Sequence, residues 1–137
     1  MIQEITEFIV NKAGLTRGTD CHMGHRPEDS IINCDTILET GGGSVMFDEP
    51  ERADPTIQVL SRGTTYLTAR NRAWAIYDAI FRDHEVGSAG WTLPNVTIGE
   101  NYEAMTITPL APPQYIGQDE HLNYEFSTNY IFRVRKL

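Results

Sequence analysis

The side chains best suited to chemistry stand in one short stretch, Cys21-His22-Met23-Gly24-His25, with Cys34 further along the chain. Thiolate and imidazole are zinc ligands, so Cys21, His22, His25 and Cys34 form the candidate metal set. Structural zinc ligands usually arrive as two close-spaced pairs, and no Cys-x-x-Cys occurs here. The other reading is a polar loop followed by a cysteine buried in the next strand. Asp119 and Glu120 are adjacent carboxylates, suited to acid–base work or to a solvated turn beside Gly117. Gly41-Gly42-Gly43 leads into Ser44-Val45-Met46-Phe47 rather than into the Lys and Ser/Thr that a phosphate loop requires. A hinge between strands fits it better. Neither G-x-S-x-G nor H-E-x-x-H is present. The expectation is a protein with no catalytic residue, no cofactor and no metal. A small metal-dependent enzyme using the Cys21–Cys34 set is the alternative.

Bulk properties narrow the class. A chain of 137 residues suits one domain with a full core, here taken as residues 1–137. Lys and Arg total 11 against 19 Asp and Glu, a net charge of −8 at pH 7. Gripping nucleic acid without sequence preference needs surplus cations to displace counterions, and this balance is the opposite. The same sign disfavours anionic membranes, and no apolar run approaches the roughly 20 residues of a membrane span. The N-terminal stretch is acidic and lacks the apolar core of a secretion signal, so Cys21 and Cys34 are expected as free thiols in a reducing cytoplasm.

Local patterning predicts the elements that position these residues. Ile2, Ile5, Phe8, Ile9 and Ala13 recur at helical spacing, and Gly14 is a natural stop. Residues 16–30 read as irregular. Residues 31–40 read as a β-branched strand, 47–56 as an exposed acidic loop, and 57–62 as a strand ending at Gly63. A helix capped by Thr68 is expected to run to about Phe81, with Ala69, Ala73, Ile76, Tyr77 and Ile80 as its apolar stripe. Short strands are expected at 96–98 and 102–108, then a stiff segment after Pro112-Pro113 and a turn over 117–121. Tyr124, Phe126, Thr128, Tyr130, Phe132 and Val134 alternate with polar positions as in a long half-buried strand. The fold class is α+β: an antiparallel or mixed sheet of four to five strands with two main helices on one face.

The remaining charges suggest contacts rather than catalysis. Arg133, Arg135 and Lys136 form a basic end on the last strand. They can guard a sheet edge or meet the acids Asp48, Glu49, Glu51 and Asp54 of a neighbouring copy. Arg62 joins this candidate assembly set. The loops 16–30, 41–56 and 82–101 are long, and they carry Met23, Met46, Phe47, Val86, Trp91 and Leu93. Such loops usually contact something. An assembly subunit is favoured over an enzyme.

Three stretches resemble the bacteriophage minor capsid and tail terminator proteins of the neck. The first is Ile37-Leu38-Glu39-Thr40-Gly41-Gly42. The second is Ile57-Gln58-Val59-Leu60-Ser61-Arg62-Gly63, with Tyr66 and a helix through Ala73, Ile76 and Tyr77. The third is Pro113-Gln114-Tyr115-Ile116-Gly117-Gln118-Asp119-Glu120, followed by the strand through 129–134. The likeness spans about 1–81 and 105–137; residues 21–25 and 83–104 match nothing in it. It implies a virion protein of a long-tailed phage, assembled in the host cytoplasm. It implies a ring, expected to be a hexamer, that ends tail-tube growth and joins the tube to the head connector. DNA would pass through without being specifically bound. Its partners would be other copies of itself, the tail tube protein and the connector or stopper protein. The acids Glu100, Glu103, Asp119 and Glu120 are candidates to face the channel. Another neck protein, a head-completion or stopper subunit, is the nearest alternative, and a general host-protein binding module is a further one.

Overall fold

The computed structural model describes residues 1–27, 30–41, 52–80 and 96–137. Its centre is the strand β8 (Tyr124–Lys136), the element with the clearest alternation in the sequence. Phe126, Thr128, Tyr130, Phe132 and Val134 are buried, while Arg133 and Arg135 are exposed. A strand this long can pair with several neighbours in turn. On one side it pairs with β4 (Thr56–Gly63), from Tyr124 to Ile131, and then with β3 (Arg52–Ala53) at Val134 and Arg135. On the other side it meets β7 (Gln114–Gln118) and β6 (Tyr102–Pro109).

Beyond β4 lies β2 (Cys34–Glu39) and then β1 (Cys21–Met23), and beyond β6 lies β5 (Val96–Ile98). All pairs are antiparallel except β1 with β2, so the sheet is mixed. Among the described residues it has eight strands, where the sequence predicts four to five. The additional strands have two to five residues, too few for a period of two to stand out. The stretch expected to be irregular around 16–30 thus contains β1. The expected turn at Gly117 begins instead at Asp119, because β7 continues to Gln118 across a register shift at Gly117.

Among the described residues, two helices cover one face. Helix α1 (Ile2–Ala13) ends at Gly14, whose φ of 69° is a left-handed cap that glycine adopts without a Cβ clash. Helix α2 (Tyr66–Ile80) buries the five residues of its expected stripe. Its cap is Thr65 rather than Thr68: the Thr68 amide donates to the Thr65 hydroxyl at 3.1 Å. Ile5, Phe8, Ile9, Ile76 and Ile80 pack on Ile37, Ile57, Val59, Ile107, Tyr130 and Phe132. The register places Ile37 beside Val59, Ile57 beside Tyr130 and Ile107 beside Phe132, so these sheet residues share one face. Phe8 meets Phe132 edge to face at 6.3 Å. At the far end of β4, a Cβ on Gly63 would lie 2.5 Å from the Ala69 amide nitrogen. Glycine there lets α2 approach the strand.

Candidate assembly surfaces

The sheet has two unlike ends. At one, β2 and β8 begin, β4 finishes and α2 starts. Tyr66 of α2 packs its ring against Tyr115 of β7 at 5.3 Å and Phe126 of β8 at 5.2 Å. Phe126 is buried, but Tyr66 and Tyr115 are nearly half exposed. Leu67, Ile116, Leu122, Ile31 and Ile32 are exposed at the same end. Together they make most of the large exposed apolar side chains among the described residues. A concentration of this kind marks a contact surface more often than scattered exposure does.

The opposite end is charged. Arg133 and Lys136 are exposed, and Arg135 holds Glu103 at 2.7 Å. Glu39 at the end of β2 and Glu100 before β6 are exposed, and Asp54 before β4 is half-buried. Asp48, Glu49 and Glu51 lie outside the described residues.

The other expected site residues separate into surface and interior. Arg62 was expected at an assembly interface, yet it is buried. Its neighbours in the strand alternate, and the position opposite Cys34 and Glu125 faces away from the helices. There its Nε donates to the Ile32 carbonyl at 2.9 Å and Nη2 to the Ile31 carbonyl at 3.0 Å. Asp119 is also largely enclosed. Burial raises its pKa, but the Asn123 and His121 hydrogen bonds and the Arg62 charge outweigh that, so the carboxyl sits below its ordinary range. Both residues serve the chain's own structure. Glu103, ion-paired with Arg135, is likewise engaged, whereas Glu100 and Glu120 are exposed.

The metal candidates do not converge. Cys21 lies opposite Asp35 on the helix-covered face, and Cys34 lies on the other, 3.7 Å from Arg62 Nη2. His22 is buried and His25 exposed. Among the described residues no three His, Cys, Asp or Glu side chains gather as a metal would require. Burial, reinforced by Asp35 and Asp20, pushes the Cys21 thiol up to about 12, which leaves it protonated and inert.

One interior group has no forecast in the sequence reading. Asp35 of β2 is fully enclosed beneath α2, where Arg72 Nη2 reaches Asp35 Oδ2 at 2.7 Å. The same nitrogen donates to the Asp20 carbonyl at 3.3 Å and lies 3.7 Å from the Asp20 carboxylate. An acid next to Cys34 near the start of the strand Cys34–Glu39 is the only signal the sequence offers.

A family of bacteriophage tail terminator proteins matches residues 10–136. The chain belongs to the tail terminator family. The match runs through residues 21–25 and 83–104, which the initial resemblance left out. Among solved structures, a chain from the virion of a native gene transfer agent particle shares the fold with a TM-score of 0.57. It is 14% identical, and the alignment covers 93% of this chain and 84% of that one. No curated protein is significantly similar to this chain. Membership makes the tail terminator chain a structural protein of the phage virion, assembling with other tail and head proteins. The two unlike ends are its candidate contact surfaces.

Proposed function

We propose that the chain forms a closed ring, a hexamer, that ends growth of the tail tube and joins it to the head connector. Family membership over residues 10–136 carries this reading. The arrangement of the surface supports it. A ring is built from heterologous contacts, in which one patch of each copy meets a different patch of the next. The charged end carries cations on β8 and the acid Asp54 between β3 and β4, opposite signs that one copy can present to the next. The basic residues Arg133, Arg135 and Lys136 would face Asp48, Glu49, Glu51 and Asp54 of a neighbouring copy. The apolar end would be covered by tail or connector protein. DNA would cross the ring without being held, and the exposed acids Glu100 and Glu120 are the candidates to repel its phosphates. Assembly would take place in the host cytoplasm, and the whole of 1–137 would act as one domain.

The test is imaging of virions carrying a label on this chain. The expected density is a ring at the junction of tube and head connector. Density on the connector alone, in particles whose tubes keep a normal length, would make it a stopper subunit. Density away from the neck would overturn the proposal.

A further inference from the structure

We infer that Arg62 is an interior staple that couples the 30–33 segment to the β7–β8 turn, so that two surface segments hold their shape together. Arg62 reaches both from inside the sheet. Its Nε and Nη2 bind the Ile32 and Ile31 carbonyls, and Nη2 also lies 3.2 Å from Ser30 Oγ. Its Nη1 is 3.7 Å from Asp119 Oδ2. A guanidinium with 9% of its side chain exposed needs its charge balanced and its donors occupied. The turn supplies the negative charge, and the 30–33 segment supplies the carbonyls. Neither alone satisfies the group, so each is held better when the other is in place.

The turn itself is built to keep one shape. Asp119 Oδ1 accepts from the His121 and Asn123 amides, both at 2.9 Å, and the Leu122 amide donates to the Asp119 carbonyl at 3.0 Å. Leu122 is held at φ 62°, a region that bulky side chains rarely adopt. Its side chain is nonetheless 69% exposed, so packing of that leucine does not explain the strain. Ile31, on the other stapled segment, is 51% exposed. Apolar side chains shown from a fixed backbone lose less freedom when a partner covers them. The staple presets that surface before any partner arrives. The coupling stands whether or not the chain closes into a ring.

The test is amide hydrogen exchange on the full chain carrying Asp119→Asn. Asparagine keeps the Oδ1 acceptor of the turn but removes the charge facing Arg62. Two amides report the distant segment: Ser30, bonded to the Pro27 carbonyl, and Thr64, bonded to Asn33 Oδ1. Both are expected to exchange roughly fivefold faster, the scale of one ion pair worth about 1 kcal/mol. The Phe132 amide, bonded to the Pro55 carbonyl, is expected to stay unchanged. Unchanged exchange at Ser30 and Thr64 would overturn the staple. Equal acceleration at Phe132 would also overturn it, by showing a general loss of stability.

Discussion

The most consequential single contact lies between Asp35 and Arg72. It fastens α2 to β2 inside the core, where an unpaired charge is expensive. Burial raises the Asp35 pKa, and the charge of Arg72 opposes this without overcoming it. A carboxyl that binds its proton more tightly folded than unfolded costs stability above its folded pKa, and that cost fades as pH falls through it. Arg72→Met removes the opposing charge and enlarges the cost. The expected loss at about pH 7 is about 3 kcal/mol, and it shrinks at a lower pH where Asp35 takes a proton. Denaturant titration of both proteins at the two pH values checks this. Equal losses at both would mean that Asp35 does not change its protonation between them. Little of this was legible beforehand, because residue type marks Asp35 as polar without saying which helix residue meets it. The burial of Arg62 was hidden for the same reason. Alternation puts it on the face away from the helices, and the chain segment that covers that face follows from tertiary folding.

At the scale of elements, β8 organises the molecule, and its two faces should respond differently. Tyr130 is fully enclosed against Ile57 and the helices. Tyr130→Ala is expected to cost about 2–4 kcal/mol, seen as a lower melting temperature. An unchanged melting temperature would mean that the strand faces are reversed. The approach of α2 to β4 gives a second check. Gly63→Ala places a methyl against backbone that cannot swing aside, so a loss of about 1–3 kcal/mol is expected from thermal unfolding. These long elements were readable because β8 repeats every two residues and α2 every three to four. The strands β1, β3 and β7 were not, since each is defined by its neighbour in the sheet. Helix α2 was foreseen with its stripe intact, but its cap shifted to Thr65, since two nearby threonines offer the same hydroxyl.

For the whole molecule, the net charge of −8 disfavours gripping DNA with the whole surface, and the fold shows how unevenly apolar exposure is spread. Apolar exposure gathers at one end of the sheet, and the other end shows Glu39, Glu100, Arg133, Arg135 and Lys136. Arg133→Glu with Arg135→Glu is expected to weaken self-association and, because the second change breaks the pair with Glu103, to cost about 1 kcal/mol of stability without unfolding the chain. Unchanged association would reduce these arginines to guards of the sheet edge. The family was legible in three ordered stretches because they form β2, the β4–α2 unit and the β7–β8 hairpin, the framework of the sheet. The contact surfaces were less so, since they depend on which end each loop reaches. The central claim is that this chain closes on itself, and the mass of the assembled particle tests it most directly. Native mass spectrometry at high protein concentration, with tail tube protein present, should give a single closed oligomer of six copies. Monomers alone under those conditions would contradict the account.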